Sequence, residues 1–345
     1  VTPNNTIIRG ENYYQDLVEF ERKFKQYLRD HLERLLSANK TQTIEESTSL
    51  HQTAKQAEIV IEEVLSSAPQ KTNSISNKLA YPDLEAVGED GYGCWRSFDF
   101  HGVKQVFRWI PLGSFPMGSH VDEPERLDRE TRHRVKLTQG FWLGDTAVTQ
   151  ALWKAVIGHN PSHFRGDDLP VENVSWDDVQ EFLLELPHDF PKLKARLPTE
   201  AEWEYACRAG TRTPFSFGDE LNSELANFNG TKPYNNVAEG EFRGKTVDVK
   251  SFQANRWGLY QMHGNVWEWC EDEWQEDLGS QPQVNPRFPG SRDSEYRVIR
   301  GGSWRDVGQR LRSAARSGGL TGFRDGDQGF RLALGPELQP PEAEK

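Results

Sequence analysis

The side chains best suited to chemistry lie in a block of arginines and acids near the C-terminus. A Gly-Gly-Ser-Trp turn at 301–304 is followed by Arg305, Asp306 and Arg310. Guanidinium and carboxylate groups bind polar ligands, and a neighbouring Trp offers apolar contact area. No cysteine lies between Arg297 and the C-terminus, so the block has no thiolate to act as a nucleophile or soft metal ligand. The block therefore indicates ligand binding rather than thiol chemistry.

The cysteines elsewhere give no sign of a cross-link or a metal site. Cys94, Cys207 and Cys270 are three, an odd number, and none forms a C-x-x-C pair. This spacing indicates neither a disulfide framework nor zinc. Cys207 and Cys270 stand in apolar, Trp-containing stretches, where a buried unreactive thiol is the expected role.

The histidines offer one weak candidate for a cation site. His120 precedes Asp122, Glu123 and Glu125, which could help to hold a cation, although a solvated acidic loop is the alternative that we expect. His159 and His163 flank a loop containing Asn and Pro, and we expect both to lie in turns.

Composition excludes several classes of protein. The chain has 345 residues and a formal net charge of -12, which fits one or two domains and argues against a general nucleic-acid binder. No apolar run approaches the roughly 18 residues needed to cross a bilayer. The first residues, 1–10, are polar and lack the apolar core of a signal peptide. We therefore expect a cytoplasmic protein, with secretion left open if a leader has been removed.

The N-terminal region predicts a helical hairpin over residues 1–67. Apolar residues recur at three- and four-residue steps over 11–38 and again over 44–67. The apolar face must pack on the main domain, on a second copy of the chain or on a partner protein, and we expect one of the first two. Residues 68–93 then predict a linker or irregular lead-in, and 337–345 a polar tail.

The remainder, 94–336, predicts a single domain of short elements. Capping boxes begin helices at Ser175 and Thr199, where an acid follows three residues later. The absence of regular strand–helix alternation favours an α+β fold over a doubly wound sheet. Short aromatic runs between turns predict strands at 106–111, 141–143, Tyr260, 267–269, 297–299 and 330–332.

Six motifs across this domain resemble the formylglycine-generating enzyme (sulfatase-modifying factor) family, in order and in spacing. The resemblance covers roughly 107–334 and implies a C-type-lectin-like fold with a small twisted sheet, peripheral helices and long loops. We expect Trp203, Trp267, Trp269 and Trp304 to be structural in such a fold. The motifs are Pro111–Ser119, Val148–Trp153, Leu169–Trp176, Arg196–Ala206, Trp257–Trp269 and Gly301–Leu332.

The chain departs from this family at the residues that carry its chemistry. The resemblance implies two cysteines, five residues apart, that bind Cu(I), and these positions are Asp306 and Leu311 here. We therefore expect neither copper nor formylglycine generation. A second branch of the fold contains iron-dependent enzymes with a His triad, which the sequence does not display.

Calcium is the metal that the resemblance leaves open. In the family, side-chain and backbone oxygens wrap a calcium ion at the positions of Gln261, Gly264, Val266 and Glu268. Gln261 is neutral here, and the alternative is a buried Glu268 satisfied by backbone amides. A second family site, near Asn227, has no clear acidic partner.

The C-terminal loops predict a ligand surface. A further branch of the fold comprises variable proteins of diversity-generating retroelements, whose ligand-facing residues follow the same turn. We expect Arg316, Arg324 and Arg331 instead to pair with local acids such as Asp325 and Asp327 and tie loops together. The expected contact residues are Trp304, Arg305, Asp306, Val307, Arg310, Leu311, Leu320, Phe323, Asp325 and Asp327.

The sequence thus predicts a non-catalytic binding protein with a protein or small-molecule ligand at these loops. One alternative is a metal-dependent oxidoreductase of the same superfamily with a site that the familiar motifs do not mark. The other is a regulatory scaffold. The N-terminal hairpin would then serve self-association or a partner protein.

Overall fold

A computed structural model describes residues 86–186, 195–290 and 295–335. The predicted N-terminal hairpin, most of the predicted linker and the C-terminal tail lie outside these residues. The described part of the chain is an α+β domain with three helices and three small sheets. No helix within it is long and apolar enough to cross a membrane.

The largest sheet has six strands and forms one wall of the domain. Its strands are β1 (Ala86–Asp90), β2 (Gly93–Phe100), β3 (Val103–Ile110), β6 (Phe141–Gly144), β7 (Ala195–Arg196) and β13 (Ala333–Leu334). Their order in the sheet is β1-β2-β3-β6-β13-β7. Strand β3 buries alternate residues such as Gln105 and Phe107, as expected for a strand with one face on the core.

Strand β1 corrects the predicted domain boundary. Ala86–Asp90 pairs with β2 in a tight antiparallel hairpin, so the domain begins inside the segment 68–93 that was predicted as a linker. The strand is exposed or half-exposed throughout and carries no apolar alternation. It exists because β2 supplies its hydrogen-bonding partners, which a local pattern does not reveal.

Two smaller sheets complete the framework. Their strands are β4 (Gly113–Met117), β5 (His133–Leu137), β8 (Trp267–Glu273), β9 (Gln283–Val284), β10 (Tyr296–Arg300), β11 (Arg316–Leu320) and β12 (Gln328–Phe330). The four-stranded sheet has the order β11-β10-β8-β12, and the three-stranded sheet has the order β4-β5-β9. The four-stranded sheet carries the turn at 301–304, which follows the end of β10.

Both predicted capping boxes are present at helix N-termini. Ser175 caps α2 (Trp176–Glu185), and Thr199 caps α3 (Glu200–Arg208) with its hydroxyl on the N–H of Glu202. A shorter helix, α1 (Gln150–Ile157), starts at Thr149 and stops at Gly158 in the left-handed conformation.

Four of the predicted strand runs occur, and two predictions differ from the structure. Tyr260 lies outside the strands. Of the run 330–332 only Phe330 lies in a strand, at the end of β12, and β13 begins at Ala333 in a different sheet. Phe330 pairs beside β8, whereas Ala333 pairs with β6 and β7. The chain crosses from one sheet to the other at Arg331.

The core is built from aromatic residues and buried ion pairs. Trp203 and Trp269 are fully buried and Trp267 is buried, as predicted for structural indoles, whereas Trp304 is half-buried. Arg300, Arg312 and Arg331 are fully buried as well. Each pairs with a buried glutamate, which a charge requires when it is removed from water.

Candidate functional site

Two glycines shape the turn that opens the site. Gly301 and Gly302 have φ values of 96° and 72°, a region that favours glycine. A Cβ on Gly302 would lie 2.8 Å from the Leu311 side chain, so the turn is also closely packed. The turn reverses the chain after β10 and presents Trp304 and Arg305 on the loop surface.

Asp306 takes a structural position within this turn. Its Oδ2 accepts hydrogen bonds from the backbone N–H of Ser303 at 3.0 Å and from the Ser303 hydroxyl at 2.5 Å. The carboxylate therefore closes the turn by reaching back to the residue three positions earlier. The residue is half-buried and does not line the pocket described below.

Leu311 is not a ligand contact, and this prediction was wrong. Its side chain is fully buried and packs with Phe215, Phe228 and Tyr234 in a small apolar cluster. The short 3₁₀ turn Gly308–Leu311 directs its last residue inward. Burial of this alkyl group stabilises the folded domain without a bound ligand.

Arg305 is held against two acids of the loop that follows β11. Its Nε donates to Asp327 at 2.8 Å, and its terminal nitrogen donates to Asp325 at 2.5 Å. Asp327 also accepts from the Ser303 hydroxyl at 2.9 Å, and burial raises the pKa of its carboxyl group. Asp327 is thus a buried support for Arg305 rather than an exposed contact residue.

Trp304 lies among aromatic rings from two other loops. Its indole N–H donates to the carbonyl of Gly326 at 2.9 Å. Phe164 meets the ring edge-to-face at a centroid distance of 5.5 Å, and Phe242 stacks on it at 6.1 Å. These contacts fix the indole plane while leaving the residue half-exposed.

An open pocket of about 360 Å³ lies next to these residues. Trp304, Arg305 and Asp325 are the predicted contact residues that it brings together. The sequence did not predict that His163 lines this pocket. A histidine in a predicted turn carries no local signal that the distant 304–305 loop lies beside it. The pocket is lined by His163, Phe164, Asn173, Trp304, Arg305, Arg324, Asp325 and Gly326.

The remaining predicted contacts lie elsewhere. Leu320 and Phe323 are 44% and 48% exposed and line a separate hollow of about 470 Å³. Val307 is exposed and Arg310 half-buried, and neither lines the Trp304 pocket. The predicted surface is therefore at least two separate hollows.

Three further arginines pair with acids, but not with the local ones that were predicted. Arg316 binds Glu200, Arg324 binds Asp178 and Arg331 binds Glu268. The acids come from distant parts of the chain rather than from the neighbouring loop. These pairs fix the C-terminal block to the helices and to β8.

The predicted calcium ligands have other partners. Both oxygens of Glu268 accept from Arg331, at 2.6 and 2.7 Å, and Trp203 donates a third bond at 2.7 Å. The Gly264 carbonyl accepts from the N–H of Val266 at 3.0 Å. Gln261 retains a buried side-chain oxygen without a hydrogen-bond partner. With its one carboxylate neutralised by Arg331, this donor set does not fit a calcium ion, which selects charged oxygen ligands.

The described ranges contain no other candidate cluster of metal-ligating side chains. Groups of three or more His, Cys, Asp or Glu side chains positioned to hold an ion do not occur within them. Glu123, considered above with His120, instead accepts from Arg312 at 2.8 Å.

A buried cysteine and histidine lie close together beneath the turn. Cys207 Sγ is 3.6 Å from His263 Nε2. Burial raises the pKa of Cys207 to about 12 and lowers the pKa of His263 to about 4. The lone pair on Nε2 already accepts from the N–H of Ser216 at 3.0 Å. The pair therefore has neither the thiolate nor the free base that nucleophilic catalysis needs.

Fold and site together define a loop-rich domain of the C-type-lectin-like type found in formylglycine-generating enzymes. Residues 103–335 match the family model described as sulfatase-modifying factor enzyme 1-like domain, and the chain belongs to this family.

Relatives of this chain include proteins named formylglycine-generating enzyme and one named as an inactive enzyme. The formylglycine-generating enzyme of Streptomyces coelicolor is 37% identical in an alignment of 290 positions, and the match covers 66% of this chain and 89% of the relative. The inactive C-alpha-formylglycine-generating enzyme 2 of Bos taurus is 30% identical over 69% of this chain and 71% of its own length. The chain spans about half of the bovine and mouse formylglycine-generating enzymes that it matches, 50% and 53%.

Among solved structures, variable protein 1 of Treponema denticola superposes with a TM-score of 0.59 at 28% identity. The match covers 70% of this chain and 99% of that protein.

Proposed function

We propose that this chain binds a ligand through the Trp304 pocket and does not generate formylglycine. The observation that carries the proposal is the state of the two positions that resemble the family's copper-binding cysteines. Asp306 is committed to closing its own turn, and Leu311 is fully buried in an apolar cluster. A carboxylate and an alkyl group cannot form a linear dithiolate site for Cu(I).

The pocket has the features of a preorganised binding site. A half-exposed indole is fixed by Phe164 and Phe242, and the Arg305 guanidinium is held by Asp325 and Asp327. Binding then requires little further ordering of these side chains, which favours affinity. Aromatic and Arg residues are also the commonest anchors at interfaces.

The charges of the pocket favour a neutral or zwitterionic ligand. Arg305 is paired with Asp325 and Asp327 and Arg324 with Asp178, and the two arginine side chains remain 44% and 51% exposed. Such pairs can offer both donor and acceptor groups to a polar ligand without a strong preference for one charge.

The likeness to a variable protein supports a binding role at these loops and the further proposal that they are diversified.

Purified protein is expected to contain neither stoichiometric copper nor iron and to consume no oxygen with a cysteine-containing peptide. The physical reason is the absence of a thiolate pair at 306 and 311. Elemental analysis and an oxygen electrode measure both quantities, with the Streptomyces coelicolor enzyme as the positive control. Stoichiometric copper or iron together with oxygen uptake would contradict the proposal and favour the alternative of a metal-dependent oxidoreductase.

Substituting Arg305 by alanine is expected to weaken binding at the pocket about tenfold or more, because a fixed charged donor is lost. A fragment library observed by ligand NMR supplies the probes, and their affinities are compared in wild type and variant. Arg310→Ala is the matched control, because Arg310 lies in the same block but does not line the pocket. Equal losses in both variants, or a library without any hit that depends on Arg305, would count against this site.

Diversification of the loops has a separate test in the DNA. A reverse-transcriptase gene beside this one, with a near-duplicate of the codons for Trp304 to Phe330 that differs at adenines, would support it. A neighbourhood without these features would contradict it and leave an undiversified binding protein.

A further inference from the structure

Among the residues that the structure describes, no strand pairs with the outer edge of the four-stranded sheet. Strand β11 pairs with β10, with Tyr296 opposite Leu320. Just beyond this pair, the N–H of Thr321 donates to Glu295 at 2.9 Å. Hydrogen-bonded and non-bonded pairs alternate in an antiparallel ladder, so the backbone groups of residues 316, 318 and 320 point away from β10.

Part of this edge is accessible. Gly318 is half-buried and Leu320 is 44% exposed, whereas Arg316 is buried. The Leu320 carbonyl is used in a turn, accepting from Phe323. Within the part of the chain that the structure describes, no backbone bond takes up the outward groups of Gly318 or the outward N–H of Leu320.

The edge also lacks the devices that usually block strand addition. The sequence of β11, Arg-Ser-Gly-Gly-Leu, contains no lysine and no proline, and its pairing with β10 is free of bulges. A Cβ on Gly318 would lie 2.8 Å from Trp274, and one on Gly319 would lie 2.5 Å from Trp269. Indole rings thus cover both faces of the strand and leave only its edge open.

An apolar strip runs beside this open edge. Leu320 and Tyr296 are opposite each other in a non-hydrogen-bonded pair, so their side chains share one face, and Tyr296 is 46% exposed. Trp274 packs over Gly318 on the same face, and Phe323 adds a 48% exposed ring at the end of the strand. A strand added to β11 would place alternate side chains along this strip.

The charges around the strip indicate what kind of chain would fit. Glu276, whose carboxylate accepts from the Trp274 indole N–H, and Glu295, which lines the hollow, are exposed beside the strip. Arg129 and Arg316 lie over the Trp274 ring, but Arg316 is paired with the buried Glu200, so acids remain in excess. The whole chain carries a net charge of -12. A second copy would bring the same acids together, which disfavours pairing of two β11 edges. A basic segment would be attracted instead.

We propose that β11 is a docking edge for an extended peptide segment of a basic partner protein. The segment pairs with Gly318 and Leu320 through its backbone, places alternate apolar side chains on Trp274, Tyr296 and Leu320, and carries Lys or Arg toward the acids. This interaction goes beyond the proposed function, since the hollow beside β11 shares no lining residue with the Trp304 pocket.

A display library of short random peptides, panned on the full chain, tests the edge. We expect enrichment of alternating apolar residues flanked by Lys or Arg. Leu320→Pro removes the outward N–H without touching the bonds to β10, and should weaken the enriched peptides about tenfold or more. Leu320→Ala is the matched control, because it keeps the N–H and should cost only about threefold.

The outcomes separate this proposal from the one for the pocket. Enriched peptides should bind Arg305→Ala with unchanged affinity, and N-methylation of alternate peptide residues should abolish binding. Unfolding curves confirm that Leu320→Pro is folded. The docking edge is refuted if panning enriches no such sequence, if the peptides bind both Leu320 variants equally, or if the chain dimerises through β11 instead.

Discussion

Replacing Glu268 by alanine is expected to lower the free energy of unfolding by about 3–5 kcal/mol, since it leaves a fully buried guanidinium without its counter-ion. Arg331 donates to both oxygens of this carboxylate and retains only the carbonyls of Gly144 and Tyr260. The Trp203 N–H loses its acceptor as well. Urea unfolding of wild type and variant measures the difference.

Two controls isolate the buried pair as the cause. Arg324→Ala breaks an ion pair whose arginine is 51% exposed, and should cost about 1 kcal/mol or less. The double substitution Glu268→Gln with Arg331→Met removes both charges and should be less damaging than Glu268→Ala alone, because no buried charge is left unpaired. A double variant that is as unstable as the single one would contradict this account.

The same measurement decides the role predicted for Glu268 as a calcium ligand. If Arg331 is its partner, the unfolding free energy of the wild type should be equal with excess calcium and with a chelator. A ligand that binds only the folded state stabilises it in proportion to the logarithm of its concentration. Stabilisation by calcium that disappears in Glu268→Ala would restore the calcium site and displace Arg331 from its assigned role.

The buried pairs explain how one short block combines a rigid frame with an exposed surface. Arg300, Arg312, Arg316 and Arg331 reach back to acids elsewhere in the chain and are buried. Arg305, by contrast, is 44% exposed. The block is thus fixed at four points, and the loop residues between them can vary with less effect on folding.

The sequence predicted local features well, because their causes are local. A hydroxyl residue followed three positions later by an acid bonds to its own helix, and the helices begin at Ser175 and Thr199 as expected. The strands rich in aromatic residues were likewise found. The resemblance to a family then supplied the overall fold, which patterns alone had narrowed only to α+β.

Local patterns do not reveal the roles of residues whose contacts come from distant parts of the chain. Leu311 follows polar residues in a loop, and only its contact with Phe215 and Tyr234 makes it a core residue. Glu268 stands where the family binds calcium, but its ion-pair partner lies 63 residues away. Ala86–Asp90 lacks a strand pattern and is ordered by β2. Such pairings are properties of the folded chain.

Lowering the pH from 7 to about 4 is expected to remove about 3 kcal/mol of stability that depends on His263. The buried ring donates from Nδ1 to the Leu311 carbonyl at 2.7 Å and accepts at Nε2 from Ser216. Burial lowers its pKa to about 4, whereas the unfolded chain protonates near 6.5. Between these values the unfolded state binds more protons, so the contribution is complete above pH 6.5 and is lost as the pH falls toward 4.

Asp272 acts in the opposite direction, and the experiment must separate the two. Burial raises its pKa to about 7, so between pH 4 and 7 the folded state binds the extra proton and stability from this group decreases as the pH rises. The pH dependence of the wild-type unfolding free energy therefore combines two opposite trends, one from His263 and one from Asp272. The informative quantity is the stability gap between wild type and His263→Gln, from urea unfolding at each pH, since Asp272 is common to both. That gap should shrink by about 3 kcal/mol from pH 7 to pH 4, and a gap that stays constant would show that His263 does not titrate with the folded structure.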